Sequence, residues 1–116
     1  MNNAKVYALA DRFEVLDLKE LAKSKFKISL TKDPPVEAIS EVINFVYGHT
    51  PFNDRSLRNL LVDYCAKQID QLQTSAGFRS TMENVGAFCL DLLLQFTSER
   101  KALKAKIKRL ENGDMY

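Results

Sequence analysis

Apolar side chains recur at three- and four-residue steps along most of this chain, and no segment shows the strict alternation or β-branched clustering of a strand. The predicted class is therefore all-α, a single bundle of about five helices with a long last one. Val6, Leu9, Ala10 and Phe13 mark the inward stripe of a first helix over residues 4–14, with Asn2 or Asn3 available as its cap. Asp17 and Glu20 have the spacing of a capping box, and Leu16 can staple onto Leu21, so the chain turns there and restarts. The second helix runs to about residue 27, with Leu18, Leu21, Ala22 and Phe26 inward and Lys19, Lys23, Lys25 and Lys27 outward. Asp33-Pro34-Pro35 stops it and opens a third helix. That helix turns Ile39, Val42, Ile43 and Val46 inward and ends at Gly48, whose freedom suits a left-handed terminus.

Residues 49–54 are dense in turn formers, and Asn53 or Asp54 can accept the first free amide hydrogens of the next helix. A fourth helix over residues 56–73 shows Leu57, Leu60, Leu61, Tyr64, Cys65, Ile69 and Leu72 on one face. Gly77 breaks the pattern; after it, either residues 78–82 form a short helical turn, or Ser80 caps the next helix directly with Glu83. The last helix starts near Val85, takes Phe88, Cys89, Leu92, Leu93 and Phe96 inward, and after Gly86 meets no Gly or Pro before Gly113, so it can reach Leu110. The expected core comprises Val6, Leu9, Phe13, Leu21, Phe26, Ile39, Ile43, Leu57, Leu61, Cys65, Phe88, Leu92 and Phe96.

At 116 residues there is room for one ordinary core, and 46% hydrophobic with 28% charged residues is the balance of a folded chain rather than a disordered one. No apolar run nears the roughly 20 residues of a membrane span, since Asp91 interrupts the densest stretch, residues 85–96. No membrane association is expected. The N-terminus lacks a secretory plan and the two cysteines lie within apolar helical patterns, which points to a reducing, intracellular setting, nucleus or cytoplasm.

The net charge of +2 says little, but its distribution says more. Residues 99–111 carry a net +4 from Arg100, Lys101, Lys104, Lys106, Lys108 and Arg109 against Glu99 and Glu111, while residues 1–98 carry −1. This divides the chain into a helical body, 1–98, and a basic extension and tail, 99–116. Three readings of the extension stay open. It is a solvated helix end favoured by the macrodipole, a nuclear-import or phosphate-contacting patch, or a short coiled coil. The last follows from Leu92, Phe96, Leu103, Ile107 and Leu110, which lie near a/d spacing with Glu99 or Arg100 at the missing seam position.

No catalytic constellation emerges. His49 is the only histidine and sits in a turn, Cys65 and Cys89 have no Cys-x-x-Cys partners, and neither a Gly-x-Ser-x-Gly elbow nor a phosphate-binding glycine loop occurs. No catalytic residue, cofactor or metal site is expected, and the chain reads as a non-enzyme.

One stretch has a more particular wording. Ala4-Lys-Val-Tyr-Ala-Leu-Ala-Asp-Arg-Phe13, followed by Leu18-Lys-Glu-Leu-Ala-Lys23 and Phe26, resembles the helical end of fungal-type BTB/POZ-domain proteins. Ala38-Ile39, Val46-Tyr47, Thr50-Pro51, residues 54–58 and Phe88-Cys-Leu-Asp-Leu-Leu93 are similar to the BACK-like helical extension that follows in the same proteins, so the resemblance spans about residues 4–96. It implies a protein-interaction and dimerisation unit of an adaptor or scaffold, with a cullin-type ubiquitin-ligase scaffold as possible partner. The family's sheet would lie upstream of residue 4, so the chain is expected to be a fragment or truncated product without the sheet-linked dimer surface. Apolar side chains that such elements would cover are then free to find partners, and self-association as a homodimer is expected through Phe45, Phe52, Leu103, Ile107 and Leu110. The rival expectation is a nucleic-acid- or chromatin-associated factor that places its basic C-terminal helix on phosphates.

Overall fold

The computed structural model describes residues 1–113, and among these every regular element is helical. Seven helices follow one another: α1 Asn2–Arg12, α2 Leu16–Leu30, α3 Val36–His49, α4 Ser56–Lys67, α5 Ile69–Leu72, α6 Ala76–Asn84 and α7 Gly86–Glu111. The all-α class holds and the count rises. The expected fourth helix breaks at Gln68 into α4 and α5, and the stretch after Gly77 becomes α6, capped by the Ser75 hydroxyl, which accepts from the Phe78 amide at 3.3 Å. Gly77 lies inside α6, and the residue that stops the preceding chain is Ser75.

The turn between α1 and α2 follows a different device from the predicted capping box. Val15 N–H donates to Ala10 O at 2.8 Å and Glu14 N–H to Asp11 O at 3.2 Å, the paired bonds of a Schellman motif. Glu14 occupies its left-handed position at φ 58°, where glycine is the usual residue. α2 then starts two residues earlier than expected, at Leu16, with no side-chain cap, and Leu16 and Leu21 are exposed rather than stapled inward. Gly48 is likewise no terminus: α3 continues through it to His49 and ends in extended Thr50.

Burial shows which stripes face inward. On α3 the four predicted residues are all buried. On α1 the buried face is Ala4, Tyr7 and Ala10, while Leu9 and Phe13 are 53% and 68% exposed, so the inward stripe is rotated toward the small residues. The reason is close approach: Ala4, Ala10 and Ala22 let α1 pack tightly on α2, and large side chains at those positions would hold the pair apart. On α2 only Ala22, Phe26 and Leu30 are buried, and Leu18 joins Leu21 outside.

One continuous core joins all seven helices except the terminal part of α7. At its centre Phe88 meets Tyr47 edge-on at 5.6 Å and Phe78 at right angles at 6.1 Å, which ties α7 to α3 and α6. α7 buries only Phe88 and Leu92 completely, Cys89 and Phe96 are partly covered, and Leu93 faces out at 61%. From Ser98 to Gly113 every residue is exposed, so the second half of a helix about 39 Å long projects from the body. This projection accounts for a radius of gyration of 16.5 Å, against about 13 Å for a compact chain of this length.

Candidate interaction surface

Two polar knots inside the body set where surfaces can lie. In the first, the Tyr7 hydroxyl lies 2.9 Å from both Asp54 carboxylate oxygens, and the Ser56 amide donates to the same carboxylate at 3.2 Å. Lys19 bridges Asp11 at 2.7 Å and Asp54 at 3.6 Å and stands over the Tyr7 ring. The hydrogen bond it donates to Asp11 holds the Lys19 ammonium above its ordinary range. In the second knot, Tyr47 donates to Asp91 at 2.6 Å and Arg55 pairs with the same carboxylate oxygen at 2.9 Å. Burial first, then the Asp91 bond, pushes the Tyr47 phenol well up. Arg58 is 5% exposed, lies over the Tyr47 ring at 4.4 Å, and donates to Thr50 O at 2.7 Å and Thr50 Oγ1 at 3.1 Å.

These groups tie elements together. Each carboxylate is held by donors from distant parts of the chain, and each also borders an open polar groove, Asp91 one of about 230 Å³ with Arg55, Asn59 and Gln95, and Asp54 one of about 560 Å³ with Lys23, Lys27 and Asn59. Sequence reading noticed Asp91 only as an interruption of an apolar run; its partners Tyr47 and Arg55 come from 44 and 36 positions away, and no local spacing announces them. Among the described residues no group of three or more His, Cys, Asp or Glu side chains is placed to hold a metal ion. His49 stacks on Phe45 at 4.1 Å with its Nδ1 2.9 Å from Phe45 O, at the exposed end of α3. Cys65 is fully buried and its thiol is pushed up to about 12 by that burial, whereas Cys89 is partly accessible.

Elsewhere the open surface is more apolar. The predicted self-association residues occupy three separate places. Phe45 is half-buried and lines a groove of about 580 Å³ with Leu9, Ala8, His49 and Pro51 between α1 and the end of α3. Phe52 stands in the loop before α4, 80% exposed. Leu103, Ile107 and Leu110 share one stripe of the projecting half of α7, each about half exposed. A second groove, about 500 Å³, runs between α6 and α7 and is walled by Met82, Gly86, Cys89, Leu90, Leu93 and Phe96. Sequence reading missed it, although residues 85–96 are apolar around more of the helix than one buried face can use.

The expected coiled-coil seam shifts accordingly. Leu92 belongs to the core, so the outward seam passes through Leu93 instead and continues as Phe96, Arg100, Leu103, Ile107 and Leu110. The six basic residues do not gather on one face. Lys101, Lys104 and Lys108 follow one stripe beside the seam, Arg100 lies in it, and Lys106 and Arg109 stand on the other side. Residues 114–116, the end of the expected basic tail, lie outside the described residues.

Fold and surface thus define an all-helical bundle with a projecting, amphipathic last helix. No protein-family model, no curated protein and no solved structure matches this chain. Among the described residues no helix is long and apolar enough to cross a membrane.

Proposed function

We propose that this chain is a non-enzymatic protein-interaction module that associates with itself, the helical end of a fungal-type BTB/POZ adaptor with its BACK-like extension. The observation that carries it is the amount of large apolar side chain left outside a complete core. Leu9, Phe13, Leu16, Leu18 and Leu21 on the first helical pair, and Leu90, Leu93 and Leu94 on α7, are each at least 41% exposed. Single exposed leucines are ordinary, but grouped ones on neighbouring turns mark surfaces that another protein covers.

Light scattering on the intact chain into the high micromolar range tests this reading. A mass near twice 13.2 kDa is the expected result, and a 13.2 kDa species throughout would overturn self-association. The resemblance makes a cullin-type ubiquitin-ligase scaffold the partner to try first, by pull-down of purified cullin with the intact chain. Binding is expected to be weak or absent without the family's sheet, and capture at low micromolar concentration would place the contact in these helices.

A second reading, a nucleic-acid-associated factor, has one observation in its favour: the Lys101, Lys104 and Lys108 stripe on a helix clear of the body. It requires DNA or RNA retention at low salt that falls steeply with added salt and vanishes when residues 99–116 are removed. No base-reading element accompanies the stripe, and the interaction module stands first.

A further inference from the structure

The outward seam of α7 has a handed pattern of charge. With Leu93, Arg100 and Ile107 at a and Phe96, Leu103 and Leu110 at d, Glu99 and Lys106 fall at g, and Lys104 and Glu111 at e. The separations Glu99 to Lys104 and Lys106 to Glu111 are both five residues, which on a helix points the two side chains about 140° apart. Neither pair can close within its own helix, and among the described residues none of the four takes part in an ion pair. Five residues is, however, the g-to-e spacing across two parallel, in-register helices.

We infer that α7 pairs in parallel and in register with α7 of a second copy of this chain, so that Glu99 meets Lys104 and Lys106 meets Glu111 across the seam. The inference rests on the self-association reading and names the surface and orientation it uses. Two-fold symmetry makes each contact occur twice, giving four cross-helix pairs of opposite charge. The seam residues agree: a β-branched Ile107 at a beside leucines at d is the combination that favours two parallel strands. Arg100, at a, is a polar seam position of the kind that fixes register and strand number at some cost in affinity. In an antiparallel pair g faces g and e faces e. With Arg100 set against Leu103, Glu99 would meet Lys106, and Lys104 would face only Thr97. Half of the complementary charge would then go unused. Shifting that arrangement by one heptad either way brings like charges together, Lys104 on Lys104 or Glu99 on Glu99.

A charge-swap series on the intact chain, read by sedimentation equilibrium at low salt, tests both surface and orientation. Glu99→Lys is expected to weaken the dimer roughly tenfold, since it turns two attractive contacts into repulsive ones. Adding Lys104→Glu should restore the parent dimer constant to within about threefold, whereas adding Lys106→Glu to Glu99→Lys should weaken it further. These side chains are exposed, so helix content measured by circular dichroism stays at the parent level in every variant. Rescue by Lys106→Glu and not by Lys104→Glu would overturn the parallel arrangement. An unchanged dimer constant across the series would put the self-association elsewhere and leave the general reading standing. A parent that is monomeric at every concentration would overturn both.

Discussion

Phe88 sits where three helices meet, with no exposed surface and two aromatic rings edge-on to it. Truncation there removes transfer energy and leaves a cavity that Tyr47 and Phe78 cannot fill, so Phe88→Ala should cost about 3–5 kcal/mol, read from urea denaturation. A second expectation concerns alkaline pH. Tyr7 and Tyr47 are raised above the ordinary value of 10.0, chiefly by burial, and Cys65 is raised from 9.0 to about 12 by the same cause. In each case the folded state keeps a proton that the unfolded chain releases, so stability is fully present below the unfolded values and is lost as pH climbs through the folded ones. The Tm should hold steady from pH 7 to about 8.5 and fall progressively above it. Tyr47→Phe, which removes one of these titrations, should flatten that fall.

The helix ends carry a different lesson. Glu14 holds a left-handed conformation that costs a residue with a Cβ roughly 1 kcal/mol and glycine almost nothing. Its side chain is exposed and enters no ion pair among the described residues, so Glu14→Gly should raise stability by about 0.5–1 kcal/mol in thermal unfolding. The capping box expected from Asp17 and Glu20 failed because a cap needs the residue before the helix to leave the helical region, and here Val15 does so two positions earlier. Local spacing proposed a competent start; the Schellman bonds from α1 chose another. Where the chain has no such competition, as in α3 after Pro34-Pro35, predicted and observed faces coincide.

Viewed as one body, the molecule is a packed bundle with a helix that outruns it. Residues 98–113 contribute nothing buried, so removing residues 99–116 should leave the Tm of a dilute sample within about 2 °C of the parent. The same truncation should abolish the concentration dependence of Tm, because a seam between two copies stabilises the folded state only by mass action. A large drop in Tm at all concentrations would mean that α7's distal half supports the bundle itself.

The all-α class, the inward face of α3, the loop before α4 and the length of the last helix were legible in the order of residues alone, because each depends on local periodicity or on proline and turn chemistry. The rest required the packed chain. Whether Leu9 or Tyr7 turns inward on α1 is undecided by hydrophobicity, since both stripes are apolar; the alanines that let α2 approach settle it. Asp54 and Asp91 become the centres of knots only when Tyr7, Lys19, Tyr47 and Arg55 arrive from distant positions. Leu93, and not Leu92, faces solvent because the core claims one side of α7 and a helix turns its neighbour 100° away. Periodicity tells how many apolar faces a helix has; only the neighbours' positions tell which of them is left uncovered.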